Sequence, residues 1–141
     1  MKKVARGLLI GTMTLALAAV FVPAAGVAPV EASGYISEII GHEPLVLIAA
    51  PTHPLARKRS IAPAEVEKHD FVGPIQKSQF YKLIDTELRR IGLRSRKTTL
   101  SLQDTASVKQ AVSHGLGIAC TLQSTCVEEV QRNEVVVLDL D

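Results

Sequence analysis

The chain has 141 residues, room for one modest domain, and its net charge of +2 is concentrated at the start. Lys2, Lys3 and Arg6 precede the first acid, Glu31, and from residue 34 onward there are thirteen basic and thirteen acidic side chains. A neutral domain without a long basic run excludes binding driven by phosphate neutralisation, so no direct contact with nucleic acid is expected. Two cysteines likewise exclude a disulfide-stapled scaffold.

Residues 1–33 read as a segment of their own. The basic start leads into an uncharged run from Gly7 to Val30, rich in Ala, Leu and Val. This is the pattern of a secretory signal peptide. Val30 and Ala32 would flank a cut before Ser33 with small side chains, and Ala24 and Gly26 offer a second cut. Left uncut, the run is long enough to anchor in a bilayer, although Pro23 and Pro29 near its end favour cleavage; a mis-assigned gene start is the third reading. The expected organisation is therefore a leader or anchor over 1–33 and a domain over 34–141. The protein would be exported if the leader is genuine and cytoplasmic otherwise.

The domain alternates strand and helix signals. Pro44–Ala50 is a continuous apolar run, the mark of a strand buried on both faces. Pro51 ends it, and Thr52–Leu55 is a turn in which Pro54 holds His53 extended. Ser60–Glu67 reads as a short helix with Pro63 in its first turn, and Phe71–Pro74 as a short strand. Lys77–Ile91 is the clearest helix: Ser78 caps it, Phe80, Leu83, Ile84, Leu88 and Ile91 form its apolar stripe, and Gly92 closes it. A strand over Lys97–Leu102 follows, then a helix capped by Asp104 with Val108, Ala111 and Val112 inward, closed by His114-Gly115. Leu116–Cys120 is a strand, Gln123–Arg132 a helix and Glu134–Leu140 a last strand. Five strands interleaved with four helices predict an α/β fold with a mostly parallel sheet and helices on both faces.

Catalytic chemistry finds little support. There is no Gly-x-Ser-x-Gly elbow, phosphate-binding loop or His-Glu-x-x-His pair. Gly115-Leu116-Gly117 follows a helix, so it reads as a helix end with close helix–strand packing, not a dinucleotide fingerprint. His42, His53, His69 and His114 are scattered without a second ligand at metal spacing, so no metal and no cofactor is expected. Cys120 and Cys126 match neither zinc nor redox spacing. They read as small buried residues, with a bridge open to them only if the chain is exported. Arg57-Lys58-Arg59 and the looser group Arg89, Arg90, Arg94, Arg96 and Lys97 read as solvated turns and helix ends. The stronger signal is at two strand-to-helix loops, Gly73–Ser78 and Ser101–Thr105. In open α/β sheets ligands bind at such places, where helix N-termini offer free N–H donors to a small anion. Each loop could also be no more than a cap.

The order of these pieces resembles the bacterial LysR-type regulators. Glu43-Pro44-Leu45-Val46-Leu47-Ile48-Ala49-Ala50-Pro51-Thr52-His53-Pro54-Leu55-Ala56 is similar to the crossing strand and turn of their effector-binding domains. Val108–Ala119 is similar to their helix-to-strand segment, and Val135–Leu140 to the closing strand. The resemblance covers roughly residues 36–140. It implies one lobe, the second, of a two-lobed fold like that of type II periplasmic binding proteins, with a small-molecule effector held between lobes. It also implies cleft-facing positions at Gly73, Pro74 and Ser78 on one loop and Ser101, Gln103 and Thr105 on the other. The winged helix-turn-helix, linker helix and first lobe of such regulators have no counterpart here. Three histories fit: an exported binding lobe, a truncated regulator, or a fusion near Ser33. The leading expectation is a non-enzymatic binding lobe for a small organic anion. The alternative is a module that forms a homodimer or pairs with a full-length regulator through exposed crossing strands Leu45–Ala50 and Val135–Leu140, or a non-functional relic.

Overall fold

The computed structural model describes residues 41–141; the leader or anchor read over 1–33 lies outside the described residues. Strand β1, Leu45–Ala49, is buried along its whole length. Its side chains alternate between two cores: Leu45, Leu47 and Ala49 join one, Val46 and Ile48 the other. That double burial explains why the run is apolar throughout instead of every second residue.

The remaining strands are β2 (Asp70–Pro74), β3 (Lys97–Leu102), β4 (Ala119–Leu122) and β5 (Val136–Val137). β2 pairs with β3 in parallel. Phe71 makes a parallel bridge to Ile118, fixed by Val72 N–H to the Ile118 carbonyl at 2.9 Å and Ile118 N–H to the Asp70 carbonyl at 2.9 Å. β1, however, runs antiparallel to both β4 and β5. The expectation of a mostly parallel sheet thus holds for β2, β3 and the entry to β4, which are joined through full helices, and fails for the two crossing strands. Alternating strand and helix signals carry no information on direction; the antiparallel sense of β1 is set by its ladder with β4, from Leu45↔Leu122 to Ile48↔Ala119. On its other edge β1 is met by β5 at Ile48 and Ala49, with Leu138 N–H bonding the Leu47 carbonyl at 2.9 Å.

Helices cover both faces, as expected. The helices are α1 (Pro63–Val66), α2 (Gln79–Arg90), α3 (Thr105–Ser113) and α4 (Val127–Gln131). α2 buries Ile84 and Leu88 with Leu47, Phe71 and Cys120, and α3 buries Val108, Ala111 and Val112 with Val46, Ile48 and Val72 on the opposite side. Each of the larger side chains stabilises the fold by about 2 kcal/mol on removal from water. Arg96, at the foot of β3, ties that strand to α2: its guanidinium bonds Asp85 at 3.0 Å and stacks 4.5 Å from the centre of the Tyr81 ring.

α2 and α3 stop by one device. Past α2, Gly92 N–H bonds the Arg89 carbonyl and Leu93 N–H the Leu88 carbonyl; past α3, Gly115 and Leu116 N–H bond Val112 and Ala111 in the same way. Both glycines take the left-handed conformation this closure needs, with φ of 91° and 79°. The strand expected over Leu116–Cys120 begins only at Ala119, because Gly117 also turns, with φ of 149°. At Gly117 a Cβ would lie 2.6 Å from the Asp70 carbonyl oxygen, so the chain passes against β2 where only glycine fits. The expected helix Gln123–Arg132 divides into a 3₁₀ turn, Gln123–Cys126, and α4, because the Thr125 hydroxyl and Cys126 thiol bond back to Leu122 and Gln123 carbonyls. The last strand shortens to Val136–Val137, with Leu140 bridging Ile61 instead. Cys120 and Cys126 are free, buried, and in different cores on opposite faces of the sheet.

Candidate ligand-binding site

β2 and β3 run side by side with Gly73 opposite Ser101 and Pro74 opposite Leu102, so their C-terminal ends finish level. Each is followed by a helix, and the two helix N-termini flank a cavity of about 220 Å³. Its lining is Pro74, Ile75, Ser78 and Phe80 from the first loop and helix, Gln103, Asp104, Thr105 and Val108 from the second, and Cys120 and Thr121 from β4. Cavities that enclose a drug-sized ligand run to about 300–1,000 Å³, so this one suits a few heavy atoms.

Of the six residues singled out from the sequence, the structure brings Pro74, Ser78, Gln103 and Thr105 into this lining. Gly73 and Ser101 are not in it; they sit opposite one another in the ladder, directly behind the two loops. A Cβ on Gly73 would meet nothing within 4 Å. Sequence reasoning missed Cys120 and Thr121, which arrive through strand pairing and have no local signal, and Ile75 and Phe80, which supply an apolar wall. It also gave Asp104 only a capping role.

The two helix ends differ electrically. At α2 the neutral Ser78 is the cap: its Oγ accepts from Tyr81 N–H at 3.0 Å, which leaves its own proton free to donate. The amides of Gln79 and Phe80, in the first turn, have no intrahelical acceptor. At α3 the cap is a carboxylate. Asp104 accepts from Ser107 N–H at 2.8 Å and from the Ser107 hydroxyl at 2.7 Å. Those bonds hold its carboxyl below the usual carboxylate range, so the rim on that side is anionic at neutral pH. On the floor, burial pushes the Cys120 thiol up to about 12, so it stays protonated and adds no charge. Thr121 is 1% exposed and hydrogen-bonded to Thr125 at 2.9 Å.

Two other hollows contrast with this one. A void of about 20 Å³ beneath α2, lined by Leu45, Leu47, Leu88 and the buried Glu87, has room for about one water. A broad groove of about 690 Å³ runs along the outside of α3 and α4, and its central charges, Lys109 and Glu129, already pair with each other at 2.5 Å. Among the described residues no three His, Cys, Asp or Glu side chains gather as metal ligands, and no helix is long and apolar enough to cross a membrane.

A lobe with a small hollow at the strand C-termini, between two helix N-termini, defines one half of a cleft-type binding fold. The family model described as LysR substrate binding domain matches residues 6–141, and the chain belongs to that family. That match runs through most of the segment read as a leader. The chain is 30% identical over 105 residues to the RuBisCO operon transcriptional regulator of Allochromatium vinosum, covering 74% of this chain and 34% of that one. It is 27% identical over 112 residues to the Acidithiobacillus ferrooxidans protein of the same name, covering 79% and 36%. Among solved structures it is similar to the regulatory domain of Synechocystis PCC6803 CcmR in complex with 2-PG, with a TM-score of 0.62 at 31% identity, over 70% of this chain and 47% of that one. The effector-binding domain of QuiR in complex with shikimate shares the fold, with a TM-score of 0.58 at 22% identity, over 70% and 46%. The chain thus spans about a third of the curated regulators it matches. The lobe expected from the sequence, of the type II periplasmic-binding-protein class, is the one observed.

Proposed function

We propose that the cavity between α2 and α3 is an effector site for a small organic anion, and that the chain acts by binding and not by catalysis. The observation that carries this reading is the convergence of Pro74, Ser78, Gln103 and Thr105 on one hollow at the ends of two parallel strands. The α2 N-terminus offers an anion the Gln79 and Phe80 amides and the Ser78 hydroxyl. Relatives named as transcriptional regulators, and a similar regulatory domain holding 2-PG, support a binding role. The protonated state of Cys120 weighs against its use as a nucleophile.

Calorimetry of the full chain with succinate tests the reading. Weak binding is expected, in the millimolar range, because half a cleft leaves one side of the ligand in water. Ser78→Ala, which removes a donor from the cavity lining, should reduce the heat while leaving the folded signal intact. One-site micromolar affinity in a proven monomer would contradict the expected weakness, and undiminished binding by the Ser78 variant would count against the site.

A second reading, pairing with another copy or with a complete regulator, is supported by the single neighbour of β3, whose outer edge is free of a described partner strand. A monomer independent of concentration in sedimentation would count against it. Export of the chain remains a proposal from the sequence of residues 1–33; a mature N-terminus near Ser33 would support it, and an intact chain in the cytoplasm would oppose it.

A further inference from the structure

Thr121 and Thr125 form a relay whose direction is fixed by chemistry. The Thr125 hydroxyl lies 2.7 Å from the Leu122 carbonyl oxygen, which can only accept, so the single Thr125 proton is committed there. The 2.9 Å contact between Thr121 Oγ1 and Thr125 Oγ1 must then use the Thr121 proton. Thr121, in the cavity lining and 1% exposed, is left with lone pairs and no donor. Across the cavity Asp104 is also an acceptor, its carboxylate already held ionised by Ser107. The α2 side differs: the first-turn amides can only give protons, and the Ser78 hydroxyl, whose oxygen already accepts from Tyr81, keeps its own proton to give. The hollow therefore has donors on its α2 wall and a committed acceptor, Thr121, on its floor, while Gln103 and Thr105 can serve as either.

We propose that this polarity selects, within the anion site proposed above and resting on that reading, a hydroxylated organic anion: a ligand whose carboxylate or similar group faces α2 and whose hydroxyl donates to Thr121. Thr121 is the specificity residue and Thr125 its positioning residue. An anion of equal charge and size that lacks the hydroxyl leaves the Thr121 lone pairs unpaired in a desolvated pocket, which costs binding. The open side of the site limits the effect to about five- to tenfold.

The test compares L-malate with succinate, which differ by one hydroxyl, on the full chain by amide chemical-shift titration. Malate should bind about five- to tenfold more tightly. Thr121→Val should erase the difference, while Thr121→Ser, which keeps the hydroxyl, should retain it. Thr125→Val frees the Thr121 proton and should narrow the gap without removing the Thr121 side chain. Should Thr121→Val fail to fold, the serine and Thr125 variants still decide the matter. Equal affinity for the two acids in the native chain, or a preference that survives in both valine variants, overturns the role of Thr121 while leaving the anion site standing. Binding of neither acid overturns both.

Discussion

Single residues set the limits of this lobe. Gly117 combines a left-handed φ of 149° with a Cβ position 2.6 Å from the Asp70 carbonyl oxygen, so a methyl group there requires the β2–β4 contact to open. Gly117→Ala should lower the free energy of unfolding by about 3 kcal/mol, read from urea midpoints, where an ordinary exposed glycine would cost a few tenths or gain. His53 supplies a pH-dependent contribution. Its Nδ1 accepts from Leu55 N–H at 3.2 Å, and its ring stands 4.7 Å from that of His69. Burial, and then His69, depress its pKa below the ordinary value of 6.5. The unfolded chain therefore takes up this proton first on acidification. Stability is fully present above about pH 6.5 and falls as pH drops through the window between that value and the lowered folded one. A His53→Asn variant, which keeps an acceptor at the turn without titrating there, should show a flatter stability profile over pH 5 to 7 than the native chain. Parallel profiles would remove His53 from the account. The sequence made the caps legible at this scale, because Ser78 and Asp104 act on amides three residues away. Thr121 and Cys120 were not legible, since only the pairing of β1 with β4 and the seating of β4 beside β2 carry them to the site.

At the scale of elements, α2 and α3 decide what the site can hold. Each is stopped by a glycine closure and started by a side-chain cap, so both N-termini are held at the cavity rim. Ser78→Ala should cost about 1 kcal/mol of stability and weaken anion binding as well, since it removes both a cap and a donor. Asp104→Asn separates the two roles at α3. Asparagine still caps, so the unfolding midpoint should change little, but the anionic rim is gone and succinate should bind more tightly in a salt-dependent way. An unchanged affinity would show that Asp104 does not face the ligand. The apolar stripes of these helices were readable from spacing, and Ile84, Leu88, Val108, Ala111 and Val112 are all buried as expected. Glu87, 2% exposed and lining the small void beneath α2, was not. Strand direction was also beyond the sequence: the run Leu45–Ala49 announces burial on two faces, and burial is the same for a parallel or an antiparallel neighbour.

At the scale of the whole molecule, the described residues 41–141 form a lobe with a hollow at its strand ends. The two cores on either side of the sheet give it an interior of its own, and the crossing strand β1 belongs to both. The neutral balance of charge in the domain, with no metal cluster among the described residues, leaves the cavity at the ends of β2 and β3 as the feature on which the functional reading stands. Binding there should be saturable, weak and confined to one face. The most direct measurement is an amide chemical-shift map of the full chain titrated with L-malate. The account predicts saturating shifts at Ser78, Gln79, Phe80, Gln103, Thr105 and Thr121, with the outer groove of Lys109, Gln110 and Asn133 silent. Saturating shifts in that groove, or only linear drift across the surface, would contradict it.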